Sequence, residues 1–185
     1  MFAMTERKAR LFGFVRSNVK NMLTRRRILP AHVVGAIIDI ETTGLPSDGA
    51  ELITLGAVSG NRLFILQRTQ EYDFSKVVQN ALAGLTRPFY AFNKGFEEAM
   101  LGIKIDGELQ AKSYEKKSDA IAVALLHDPF DGEGIQAINA WNDFKRTGDK
   151  EYLLRIMDHN ESDLLLETCL LLVRHSQPEY SMVKK

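Results

Sequence analysis

The chain has 185 residues, 45% apolar and 26% charged, enough for one domain, two at most, with a substantial core. Its 24 Lys and Arg match 24 Asp and Glu, so overall charge does not advertise a nucleic-acid binder. The single cysteine, Cys169, excludes an intramolecular disulfide framework and any multi-cysteine zinc site, and no run approaches the roughly 18 apolar residues of a membrane span. A cytoplasmic or similarly reducing setting without integral membrane association is the expectation.

The zero net charge joins two unlike segments. Residues 1–30 carry eight basic side chains, among them Arg25-Arg26-Arg27, against Glu6 alone. From Thr5 to Leu23 the apolar residues Leu11, Phe14, Val15, Val19 and Met22 recur at three- and four-residue steps, which predicts a basic amphipathic helix. Residues 1–30 therefore read as an arm, with Pro30 dividing it from a body over 31–176 and residues 177–185 as a flexible tail. The arm could pack on its own domain, touch nucleic acid, or meet a partner or membrane surface.

The body opens on Val33–Glu41, almost continuously apolar until it ends in two acids, as a buried central strand would. Glu51–Ser59 and Arg62–Gln67 read as the next two strands, with Gly60-Asn61 as a tight hairpin. A helix over Asp73–Leu82, a short strand over Pro88–Phe92 and a helix over Gly95–Leu101 follow. Ile103, Ile105 and Leu109 allow another short strand, and Ser118 or Asp119 could cap a segment through Leu126 that reads as helix or strand. Two helices close the domain, roughly Ile135–Lys145 and Lys150–Arg174, with Gly148 breaking them. The class is α/β, a mixed sheet covered by helices.

Three short motifs carry chemistry. Asp39 and Glu41 are two apart on a strand, so both carboxylates share a face while Ile40 enters the opposite layer. Two converging carboxylates repel and call for a counter-charge, and oxygen ligands suit magnesium or manganese. In Phe92-Asn93-Lys94-Gly95-Phe96-Glu97, Asn93 could cap a helix or touch a ligand, and Glu97 falls in a first helical turn that favours an acid anyway. His159 and Asp163 are four apart on one face of an otherwise leucine-rich helix, where a buried acid costs energy unless a cation or hydrogen bonds compensate. Asp119 and Asp128 are spare acids, Lys94 and Arg146 read as surface cations or phosphate contacts, Trp141 as a packing anchor in preference to a base-stacking platform, and Cys169 as buried and inert.

Together Asp39-Ile40-Glu41-Thr42-Thr43-Gly44-Leu45, the Asn93-x-x-Phe96-Glu97 segment and the late His159-Asn160-x-x-Asp163 helix resemble the three signatures of the DEDD 3′–5′ exonuclease superfamily, which has the ribonuclease H-like fold. Within it the chain is most similar to the YprB-like exonuclease group, related to the proofreading domain of B-family DNA polymerases. Trp141 and Thr147-Gly148-Asp149 add to that likeness, which spans roughly residues 33–173.

The resemblance implies two Mg2+ or Mn2+ ions held by Asp39, Glu41, Glu97 and Asp163, with His159 orienting or deprotonating the attacking water. It places Thr42, Thr43 and Leu45 against the terminal nucleotide, with Asn93 helping to place the substrate or the second-motif acid. The implied activity is metal-dependent hydrolysis from a 3′ end, DNA favoured over RNA, to nucleoside 5′-monophosphates. A repair or replication protein would be a natural partner. The chain departs from the family at Glu97, where the superfamily has aspartate, and at His159, which stands at the spacing of the tyrosine subtype. Those departures keep two alternatives in view: a structure-selective endonuclease on the same fold, or a catalytically degenerate binding or scaffold module.

Overall fold

The apolar run ending at Ile40 becomes the middle of a sheet because it meets apolar residues on both of its faces. The computed structural model describes residues 22–69, 74–112, 115–117, 121 and 128–176. In chain order the elements are β1 (Met22–Thr42), a 3-10 turn (Pro46–Asp48), β2 (Leu52–Arg68), α1 (Ser75–Ala83), β3 (Phe89–Ala91), α2 (Lys94–Leu101), β4 (Gly107–Glu108), α3 (Ile135–Thr147) and α4 (Glu151–Ser176). The sheet order is β2-β1-β3-β4, with β1 antiparallel to β2 and parallel pairing from β1 to β3 and from β3 to β4.

Alternation along β1 sorts its side chains into two layers. Ile38 and Ile40 join Val78 and Leu82 of α1 and Leu101 of α2 in one core cluster. Ile37 faces the other way, joining Val58, Ile65 and the α4 residues Met157, Leu164 and Leu171. Asp39 and Glu41 share the parity of Ile37 and so emerge on the α4 side. A third cluster seats Trp141 of α3 against Ile53, Leu153 and Ile156, and Trp141 is 1% exposed, the packing anchor expected of it.

Both long strands double back. β2 turns at Gly60, where φ is +62°, and its two halves lie side by side: the Gln67 amide donates to Ile53 O, and the Thr54 hydroxyl donates to the Gln67 amide oxygen at 2.6 Å. The two strands expected around Gly60-Asn61 are thus one continuous element bent there. β1 passes round the tip of that bend. Its Val33–Thr42 half pairs with Leu52–Gly60, and its Met22–Ile28 half pairs with Arg62–Arg68, with register shifts between Ile28 and Ala36.

This corrects the expected arm. Residues 22–30, read as the end of a basic helical segment ahead of the body, are strand. Arg25 donates to Asp158 at 2.5 Å and to Glu161 at 2.7 Å, and Arg27 donates to Glu161 at 3.0 Å, all from strand to α4. Charged residues on an exposed sheet edge look, in sequence, like the polar face of a helix. The helix expected from Thr5 lies, apart from Met22 and Leu23, outside the described residues, as do most of the segment from Ser118 to Leu126 and the tail. Elsewhere the expected helices are present with ends shifted by a few residues, and β4 follows the buried Ile105.

Candidate active site

β1 delivers the first pair of acids to the end of the sheet. Asp39 and Glu41 are 4% and 7% exposed, an unusual depth for two carboxylates on adjacent same-face positions. Asn93 caps α2 by accepting the Phe96 backbone N–H at 3.2 Å, and that entry swings Glu97 inward to 3% exposure. α4 contributes a face of His159, Asn160, Asp163 and Glu167, at helical spacings of one, three and four, all buried. Asp39, Glu41, Glu97, His159 and Asp163 line one cavity of about 1060 Å³, together with Thr42, Leu45, Asn93 and Phe96.

The sequence motifs therefore converge, with one difference among the expected nucleotide contacts. Thr42 and Leu45 border the cavity, Leu45 with 59% of its surface exposed at the mouth. Thr43 is not among the lining residues, and its hydroxyl instead accepts the Glu51 backbone N–H at 2.9 Å to close the turn after β1. Cys169 is half-buried rather than buried. Arg146 pairs with Asp143 and Lys94 with Glu98, the surface roles expected of them.

Four groups at this site are given no role by the sequence, although Asn160 stands within the His159-Asn160-x-x-Asp163 signature. The Lys117 ammonium lies 2.6 Å from Asp39 Oδ1, 2.7 Å from Asp163 Oδ2 and 2.8 Å from Glu167 Oε1. Asn160 Nδ2 donates to the other Asp39 oxygen at 2.6 Å. β2 makes room for that amide at Gly56, where a Cβ would stand 2.0 Å from Asn160 Oδ1. Asp128, read as a spare loop acid, accepts from the Phe130 and Gly132 backbone N–H groups and bonds His159 Nδ1 at 2.9 Å. Glu167 has one readable clue, its place four residues beyond Asp163 on a helix face of leucines. Asp128-Pro129-Phe130-Asp131-Gly132 has the look of an aspartate-led turn, while Lys117 sits in the least patterned stretch of the chain.

Burial dominates the electrostatics. It pushes Glu41 up to about 8, with repulsion from Asp39 adding to the effect, and the same two causes push Glu97 up to about 8. Burial also raises Asp39 and Glu167 despite the pull of Lys117. For His159 burial opposes the charge, but the bond to Asp128 and the nearby Glu41 and Asp163 carboxylates outweigh it and push the ring up to about 9. Lys117 is likewise held well above the ordinary lysine value, since Asp163, Asp39 and Glu167 overcome its desolvation.

The site fits a divalent cation. Ligand atoms of Glu41, His159 and Asp163 lie within 4.8 Å of one another, a cluster able to hold one such ion. Glu97 Oε2 is buried without a hydrogen-bond partner among the described residues, an acceptor in want of a donor or cation.

Residues 108–173 match the family model described as RNase_H superfamily. That stretch includes Lys117, Asp128, His159 and Asp163. No curated protein and no solved structure matches the chain. The fold is mixed α/β, a central sheet flanked by helices, and matches the ribonuclease H-like architecture. With its metal-capable cluster, that architecture is consistent with a nuclease site and with nucleic-acid binding in general. No helix among the described residues is long and apolar enough to cross a membrane.

Proposed function

We propose that the protein is a divalent-metal-dependent 3′–5′ exonuclease of the DEDD type, acting on DNA in preference to RNA and releasing nucleoside 5′-monophosphates. The observation that carries this reading is the convergence of Asp39, Glu41, Glu97, His159 and Asp163, buried side chains from three separated motifs, on one cavity of a ribonuclease H-like fold. The two departures from the family do not scatter the site, since Glu97 and His159 both reach the cavity.

In this reading Asp39, Glu41, Glu97 and Asp163 would hold two Mg2+ or Mn2+ ions. When bound, such ions supply charge stabilisation to the phosphodiester and lower the pKa of water. His159 would take the proton of the attacking water at Nε2, Nδ1 being engaged by Asp128, once the charge of bound ions has driven the ring to its neutral form, since the acids around it otherwise hold it up to about 9. Thr42, Leu45 and Asn93 contact the terminal nucleotide, and the exposed apolar surface of Leu45 suits the face of a base. Water adds to phosphorus, the bond to the 3′-oxygen breaks, and that oxygen takes a proton from solvent, so the shortened strand keeps a 3′-hydroxyl. A cytoplasmic place in DNA repair or replication, beside a protein partner, completes the proposal.

The test is a nuclease panel with end-labelled and internally labelled DNA and RNA, with and without Mn2+, beside Asp39→Asn. Metal-dependent release of mononucleotides from the 3′ end, absent from the variant, is expected. Internal cuts would replace the exonuclease reading with an endonuclease. No release from any substrate, while a control nuclease works, would overturn catalysis altogether.

A further inference from the structure

The acid cluster holds a cation of its own. The Lys117 ammonium touches carboxylates from two elements, Asp39 of β1 and Asp163 and Glu167 of α4. It also sits 5.8 Å from the centre of the Phe92 ring. Its segment is anchored from β4: the Gln110 amide donates to Glu115 O, and the Glu115 carboxylate accepts the Ala111 backbone N–H at 2.7 Å. Glu167 is 0% exposed, and the ammonium is the cation facing it among the described residues.

The oxygens matter more than the charge count. Asp39 Oδ2 is committed to Asn160, and Asp39 Oδ1 and Asp163 Oδ2 are the atoms that Lys117 holds. A divalent ion held by Asp39 and Asp163 would need carboxylate oxygens, and both of those on Asp39 are already engaged, Oδ1 by Lys117 and Oδ2 by Asn160. An ammonium and a divalent ion on one carboxylate oxygen would also repel strongly. One must yield.

We infer that Lys117 is a positioning residue of this site, a built-in counter-cation that gathers Asp39, Asp163 and Glu167 and competes with the divalent ion for Asp39 Oδ1 and Asp163 Oδ2. This rests on the metal-dependent reading above and deepens it. Metal affinity is then set by displacement of a side chain as well as by the ligands. An ion that binds leaves Lys117 beside the cavity that would receive a phosphodiester, with its charge released from the acids.

The experiment is calorimetric titration of the full chain with Mn2+ alone, comparing wild type with Lys117→Met and Lys117→Arg. Loss of the ammonium is expected to tighten Mn2+ binding at least tenfold, while Lys117→Arg stays near wild type. In chelator, Lys117→Met should melt below wild type and recover more on Mn2+ addition, because its carboxylates have lost their internal partner. Lys117→Gln, titrated alongside, keeps the comparison available if the methionine variant does not fold. Less than threefold tightening in the uncharged variants, or weaker binding, overturns the role of Lys117 while leaving a metal site in place. Binding of Mn2+ to none of the proteins overturns the metal-dependent reading and the competition together.

Discussion

His159 Nδ1 lies 2.9 Å from Asp128 Oδ1, a bond that spans 31 residues and fixes which nitrogen of the ring faces the acids. Nε2 is consequently turned toward Glu41 and Asp163, at 3.8 and 3.9 Å. Asp128 is itself held by two backbone N–H groups, so the imidazole is oriented by a braced carboxylate.

Asp128→Ala should therefore impair the site without unfolding it. Outer-shell carboxylates of this kind change affinity or activity by roughly 10- to 100-fold. A loss of that size is expected in metal-dependent turnover. The His159 titration should also move down from about 9 toward the ordinary histidine value, because the largest raising influence is gone. A pH titration of the His159 ring by NMR in chelator checks the second point. An unmoved titration would show that Asp128 does not orient the ring.

Stability should fall with rising pH when no divalent ion is supplied. Glu41 and Glu97 rise to about 8 from 4.5, and His159 rises to about 9 from 6.5, so all three bind protons more tightly folded than unfolded. For His159 the stabilisation is complete below its unfolded value and lost as pH passes through about 9. For the two glutamates the unfavourable buried charge is absent below 4.5 and fully present above about 8. Melting temperatures in chelator across that window should descend, and a flat or climbing profile would contradict the assignment.

Metal binding should release protons. Ligation needs the carboxylates ionised, and Glu41 and Glu97 retain protons at neutral pH. Mn2+ titrations in buffers of different ionisation enthalpy should give apparent heats that separate accordingly. Identical heats in all buffers would mean the ligands were already ionised.

Gly56→Ala probes the support behind Asp39. The new methyl would meet Asn160 Oδ1 at 2.0 Å and Leu164 Cδ1 at 2.6 Å, in a layer with no spare room. Overpacking of this kind costs about 1–3 kcal/mol. It should also displace the amide that holds Asp39 Oδ2, so metal affinity should drop along with the denaturation midpoint. A variant with wild-type stability and wild-type Mn2+ affinity would show that Asn160 has another way to sit.

The pattern of β1 makes the first half of the site legible in the sequence. An apolar run ending in Asp39-Ile40-Glu41 can put its acids on one face only if it is a strand, and the parity that sends Ile38 and Ile40 into one core sends the acids toward α4. His159 and Asp163 are legible for a similar reason, since helical spacing fixes a shared face. Lys117 is not, because a lysine in an unpatterned loop gains meaning only from partners 46 and 78 residues away. Residues 22–30 mislead because a strand at a sheet edge, paired on one side and wet on the other, shows no clean alternation; its charges are answered by Asp158 and Glu161 far along the chain.

That edge strand ties the start of the described chain to the helix that carries His159 and Asp163. Arg25 and Arg27 clamp Asp158 and Glu161, which flank His159 and Asn160 in sequence. Two of the eight basic charges before residue 31 are thus spent inside the molecule and are not on offer to a phosphate backbone. A deletion through residue 30 would strip a strand and slacken the helix that carries His159 and Asp163, whereas one ending at residue 21 leaves that brace intact. The two cuts separate a loss of electrostatic reach from a loss of rigidity.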